Sequence, residues 1–154
     1  MRGEYAVLKI LKDNAAVAAI VGSRVYLDEA PQNAQLPYVI VSEEDVEPFD
    51  TDDGKSVMDK DIVRVFPYAA TKISLRSLSV SCRDALDHVA PGPYNLELVE
   101  LIVFENQTSF DEEIENRKVY AKDQQYSVWV SLFGVTADRT DITADSTEVT
   151  ADSY

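Results

Sequence analysis

Residues Tyr38 to Pro67 read YVIVSEEDVEPFDTDDGKSVMDKDIVRVFP, and this stretch decides the fold. It opens on an unbroken apolar run, Tyr38 to Ser42, of the β-branched and aromatic residues that favour a pleated strand. It closes on an alternating run from about Val57 to Phe66. There Ile62 and Phe66 share a face with Met58, Lys60 and Arg64, while Val63 and Val65 take the opposite one. Between the two, Glu43 to Lys55 is made of Asp, Glu, Pro and Gly, the composition of a solvated loop, with Asp53-Gly54 as a turn signal. The reading is an antiparallel hairpin with a long acidic connection, ended by Pro67, whose ring nitrogen has no hydrogen to donate.

Toward the N-terminus, Val7, Leu8 and Leu11 fall on one face of a helix whose other positions carry Arg2, Glu4, Lys9 and Lys12. Asp13 or Asn14 can cap a second, short helix over Ala15 to Val21, and Gly22 can take the left-handed conformation that ends it. Arg24 to Leu27 is a short strand, followed by an irregular link bracketed by Pro31 and Pro37. Toward the C-terminus, Leu75, Leu78, Cys82, Ala85, Leu86 and Val89 step by three or four residues, opposite Lys72, Arg76 and Arg83. This is the clearest helix, and Ala90-Pro91-Gly92-Pro93 stops it. Tyr94 to Phe104 reads as a strand and Glu105 to Arg117 as a polar loop. Lys118 to Phe133 is a final strand with Tyr126, Val128, Val130 and Leu132 on one face and Ser127, Trp129, Ser131 and Phe133 on the other. Only one connection between strands carries a substantial helix. The expected fold is therefore α+β: a mostly antiparallel sheet of four to five strands, with an N-terminal helix and one long helix on one side. The domain is expected to span residues 1–134, with residues 135–154 as a C-terminal extension.

At 154 residues the chain can bury about two-thirds of its unfolded surface around one core. Cys82 is the single cysteine, so no internal disulfide forms, and on a helical stripe it acts as a small apolar group. No secretory leader pattern and no apolar run near ~20 residues is present, which predicts a soluble chain made in a cytoplasm without membrane attachment. Fourteen basic against 28 acidic residues give a net charge of −14, a balance that repels nucleic acid. Half of that excess lies in one stretch: Glu43, Glu44, Asp45, Glu47, Asp50, Asp52, Asp53, Asp59 and Asp61 against Lys55 and Lys60.

Catalytic constellations are missing from the sequence. The five glycines are scattered and form no phosphate loop. His88, the only histidine, falls near a helix C-terminus, where a surface or capping role suits a cation. Asp50-Thr51-Asp52-Asp53-Gly54 resembles the start of a calcium loop but has Lys60 where the bidentate Glu would stand, and it reads as a solvated charge run. The expectation is a protein without catalytic residues, metal or cofactor.

Beyond Gly134 the chain repeats with a period of seven: VTADRTD, ITADSTE, VTADSY. Each unit carries one apolar residue, Val135, Ile142 or Val149, too few for a coiled-coil seam. The two readings of this segment are a solvated tail and an extended strand that orders on a neighbouring subunit.

The segment from Ala15 to Val41 contains an alanine-rich helix, Gly22-Ser23-Arg24-Val25-Tyr26, Ala30-Pro31-Gln32 and Leu36-Pro37-Tyr38, followed by the β run. In this order and spacing it resembles the tail-completion family of siphophages, also called tail terminators or tail-to-head joining proteins. Gly22, Pro31, Gln32 and Pro37 read as fold-making residues, Tyr26 and Tyr38 as large bodies to bury, and Arg24 as a partner for a carboxylate within or between subunits. The resemblance implies a structural virion protein, assembled in the host bacterial cytoplasm as a hexameric ring. Such a ring caps the tail tube protein, meets the head-neck connector or stopper protein, and lets DNA pass without binding it specifically. Another neck component, or an acidic DNA mimic that binds a host factor, are the competing readings. Neither the acidic stretch nor the repeated tail belongs to the family pattern. Glu43, Glu44, Asp45, Glu47, Asp50, Asp52, Asp53, Val135, Ile142 and Val149 are the candidate interface or lumen residues.

The two readings of the tail separate under limited proteolysis. A segment that orders on assembly is cut more slowly in the particle than in free protein, whereas equal rates identify it as solvated in both.

Overall fold

The computed structural model describes residues 3–50, 56–94 and 97–131. Helices α1 (Gly3–Asp13) and α2 (Ala15–Val21) lead into a short strand β1 (Val25–Leu27) and a long pair, β2 (Tyr38–Asp50) and β3 (Ser56–Ala69). Helix α3 (Lys72–Leu86) follows, then β4 (Gly92–Tyr94), β5 (Glu97–Ile114) and β6 (Arg117–Ser131). The strands form one sheet in the order β1-β2-β3-β6-β5-β4. Neighbours are antiparallel except β1 and β2, which run parallel with Val25 opposite Val39.

The helix boundaries follow from capping chemistry. Asn14 accepts a hydrogen bond from the Val17 N–H at 3.0 Å, satisfying one free donor of α2, and Gly22 ends that helix at φ +63°. Thr71 does the same for α3 through Ser74. All three helices pack on one face of the sheet, as the sequence predicts. Ala6, Val7, Ile10 and Leu11 of α1, with Leu78, Cys82 and Leu86 of α3, meet Val39, Val41, Val63, Val65, Tyr126, Val128 and Val130. Burying each such Leu or Val fully is worth about 1.5–3 kcal/mol. A smaller cluster covers the opposite face around Tyr38, Tyr68, Val119 and Ala121. No helix among the described residues is long and apolar enough to cross a membrane.

Several boundaries differ from the sequence reading, and the reason is shared. Glu43 to Asp50 is strand, not loop, and so is Glu105 to Ile114. Both segments lie on the open edges of the sheet, past the short strands β1 and β4, where Glu44, Asp45 and Glu47, and Asn106, Gln107 and Thr108, are exposed. Side-chain polarity there reports exposure, while the backbone ladder continues regardless. Pro67 does not end β3, which runs on to Ala69. Its pairing with β6 lapses between Val65↔Gln124 and Tyr68↔Ala121, and the proline is accommodated in that gap. The segment read as one strand from Tyr94 is two, with β4 folding back on β5 so that Gly92 faces Val99. The sheet therefore has six strands instead of four to five. Helix α3 stops at Leu86, leaving Val89 past its end. His88 sits at φ +57°, its backbone N–H donates to Ile102 O, and its side chain is exposed, on the surface side of the surface-or-capping expectation.

Residues Glu115 and Asn116 join β5 to β6 with φ of 52° and 65°. Two successive positive values define a turn of the I′ kind, which matches the strand twist but strains a glutamate. Replacing Glu115→Asn together with Asn116→Gly is expected to stabilise the protein by about 0.5–1 kcal/mol, read as a higher urea midpoint with an unchanged slope.

Candidate assembly surfaces

The motif residues converge on the sheet face opposite the helices. Arg24 follows the glycine that ends α2 and donates from Nε to the Pro37 carbonyl at 3.0 Å. The Val39 N–H donates to Arg24 O at 3.0 Å and the Asp28 N–H to Val41 O at 2.8 Å, which pins β1 beside the start of β2. Tyr26 and Tyr38 meet edge to face at 5.9 Å, Tyr38 stacks on Tyr68 at 5.0 Å, and Phe110 of β5 closes on Tyr68 at 6.0 Å. The link from Asp28 to Pro37 lies over this stack through Ala30, Ala34 and Leu36, with a cis Leu36–Pro37 peptide; Pro31 and Gln32 are exposed on it. Burial pushes the Tyr68 hydroxyl up to about 12 and raises that of Tyr38, so both stay protonated as packing groups. The motif builds a rigid aromatic seam.

The acidic stretch is sorted into distinct roles. Glu44 bulges out of the β2 ladder between Glu43 and Asp45 and accepts from Arg64 Nε at 2.6 Å. The same guanidinium grips both oxygens of Asp123 on β6 at 2.8 and 2.9 Å, so one arginine ties three adjacent strands. Asp45 and Glu47 are exposed on the open edge of β2, opposite Ile62 and Lys60 of β3. Asp52, Asp53, Val135, Ile142 and Val149 lie outside the described residues, and of Asp50 only the backbone is described. Ser131, where the described chain ends, pairs with Met58, which is itself opposite Phe49, so β6 accompanies β3 along this whole stretch.

Asp61 and Glu4 have a place the sequence reading missed. Asp61 shares the parity of Val63 and Val65, so it points under the helices, and its Oδ2 accepts the Gly3 N–H at 2.6 Å. A strand residue thus caps α1 from 58 positions away, and a carboxylate at that end complements the helix dipole. A Cβ on Gly3 would stand 2.8 Å from that oxygen, which is why the helix begins on a glycine. Glu4 beside it is 2% exposed and Asp61 1%, and Glu4 Oε1 and Asp61 Oδ1 find no hydrogen-bond partner among the described residues. Burial raises both pKa values; the charge of Glu43 adds to each, and that of Asp28 to Glu4. The alternation in β3 was the available signal, since it already set Asp61 on the face of the two core valines.

Little in this arrangement serves bond chemistry. Burial pushes the Cys82 thiol up to about 12, far from a thiolate. His88 is exposed, with Nδ1 2.9 Å from Asp87, whose carboxylate in turn receives the Phe104 N–H and stitches the end of α3 to β5. Among the described residues no cluster of His, Cys, Asp or Glu is placed to hold a metal ion.

Comparison with known proteins places these features. Residues 5–131 match the model of the family described as tail completion protein gp17. A solved structure of the virion of a native gene transfer agent particle contains a chain of the same fold. It has a TM-score of 0.63 and 23% sequence identity, and the match covers 84% of this chain and 95% of that one. A comparison with curated proteins returns no match.

The buried carboxyls under α1 give stability a set direction with pH. Both bind protons more tightly in the folded chain than in the unfolded one. The stability they supply is therefore full below the ordinary carboxylate range and is lost as pH rises through their raised pKa values. Glu4→Gln removes one such group. The variant is expected to match the parent at pH 3 and to exceed it at pH 7 in urea denaturation; a variant weaker at pH 7 would show that the Glu4 charge is compensated.

Proposed function

From the membership of this chain in the tail completion protein gp17 family of bacteriophage structural proteins, we propose that it forms a ring at the end of the phage tail tube. This ring stops the tube, joins the tail to the head-neck connector, and leaves a channel for DNA. The observation that carries the reading is the family match, which runs through both helix layer and sheet from residue 5 to residue 131. The form of the subunit supports it. The acidic β2–β3 ribbon lies toward the Ser131 side of β6 and the β5–β6 hairpin extends past β3 where β6 begins, so one copy offers unlike surfaces to two neighbours. Contacts between unlike surfaces close into rings when the rotation permits.

Charge fits the passage of DNA. Six copies at −14 each carry −84, and carboxylates facing a channel keep a polyanion from adhering to its wall. The protein is made in the host cytoplasm and becomes part of the virion there.

Deleting the gene from its phage tests the role by electron microscopy. Filled heads together with unattached tails of irregular, excessive length are the expected products. Unattached tails of normal length would move the assignment to another neck component, and intact infectious particles would remove it from the tail altogether.

A further inference from the structure

The outer side of α3 and the β5–β6 hairpin enclose a groove of about 670 Å³. It lies toward the beginning of β6, at residues 120–122, whereas the acidic ribbon stands at the end of that strand. Four cations line it, Lys72, Arg76, Arg83 and Lys122, with Asp111 as the sole carboxylate of the lining. In a chain of net −14 this is a concentrated positive surface. None of the four takes part in the ion pairs Lys9–Asp13, Arg64–Glu44, Arg64–Asp123, His88–Asp87 and Lys118–Asp111, and Lys122 donates to the Ser109 hydroxyl at 2.9 Å. Two are held by aromatic faces instead: Lys72 lies 5.7 Å from the Tyr120 ring and Arg83 3.9 Å from that of Phe104. Their positions are fixed while their charge stays available.

The groove also has an apolar rim. Val80 is 52% exposed and Ile73, one helical turn-pair earlier on the same face of α3, is 82% exposed. The acidic ribbon carries the complementary charge: Asp45 and Glu47, both exposed and on one face of β2. We propose that the acidic edge of the β2–β3 ribbon of one copy docks in the α3/β5–β6 groove of the next, Asp45 and Glu47, which share one face of β2, meeting Arg76 and its neighbouring cations. This contact rests on the ring reading and supplies its interface. Nucleic acid is the poorer occupant, because the net charge repels it and the exposed valine and isoleucine offer it nothing. The ribbon cannot reach the groove of its own chain, since the ladders from β2 through β3 to β6 hold it at the other end of the sheet. The contact therefore joins unlike surfaces and repeats from copy to copy.

Cysteine pairing tests this on the full-length chain. Cys82 is buried and unreactive, so Glu47→Cys and Arg76→Cys each present one accessible thiol. An equimolar mixture under mild oxidation is expected to give disulfide-linked dimer at least ~10-fold above either variant alone, suppressed in 1 M salt (Debye length about 3 Å). A mixture no better than the single variants overturns the docking, as does preferential linkage of Arg76→Cys to Asp145→Cys, which would assign the groove to the C-terminal segment. Charge reversal gives a second measurement. Arg76→Glu with Arg83→Glu in one chain, or Asp45→Lys with Glu47→Lys in another, should each block assembly, and mixing the two should restore it. Rings that persist in both reversed variants overturn this interface and leave the ring reading standing. A parent chain that forms no ring either alone or on tail tubes overturns both.

Discussion

The ladder between β3 and β6 joins two hairpins, β2–β3 and β5–β6, that are each local in sequence and each too small to be stable as isolated ribbons. It runs from Met58↔Ser131 to Ala69↔Tyr120, so forming it closes a loop of about fifty residues and must be repaid by burial. The helix layer repays it. Val63 and Val65 of β3 and Tyr126, Val128 and Val130 of β6 form the floor on which α1 and α3 lie, and without the two strands side by side neither helix has an apolar surface to cover.

Polar contacts on both faces hold that ladder in one register. On the solvent face Arg64 bridges Glu44 and Asp123 across three strands. On the helix face the fully buried Gln124 donates to Ser79 O in α3 at 3.0 Å and to Gln107 at 2.9 Å, while its oxygen accepts from the Tyr126 hydroxyl. A slip of one residue would turn Gln124 to the other side and leave each of these groups unpaired, a cost added to that of turning the core valines out to water. Asp61 adds the same constraint for α1 by receiving its first N–H.

The core was legible in the sequence because its signals are periodic. Leu75 to Leu86 stepped as a helix and Tyr126 to Val130 alternated as a strand, and those residues are buried as expected. The ribbons were not legible, since Glu43 to Asp50 and Glu105 to Ile114 pair through backbone groups that every residue carries while their side chains meet water. Of the assembly surfaces, the motif from Gly22 to Tyr38 was visible as spacing, and the structure gives it a role in packing β1 and the Asp28–Pro37 link onto the aromatic seam. The basic groove was hidden, because Lys72, Arg76 and Arg83 read as the ordinary polar side of a helix and Lys122 comes from a strand fifty residues from the first of them.

The short strands at the margins of the sheet have a consequence for a protein that must meet copies of itself at high concentration. β1 and β4 are three residues each, so much of β2 and β5 runs on past them with an open backbone edge. Along the open part of β2, Pro48 withholds a donor and Glu43, Asp45 and Glu47 add like charge. These are the devices that discourage one sheet from annealing to another. Crowded subunits are thus barred from growing into fibrils edge upon edge, and orderly assembly is left to side chains that can release and try again.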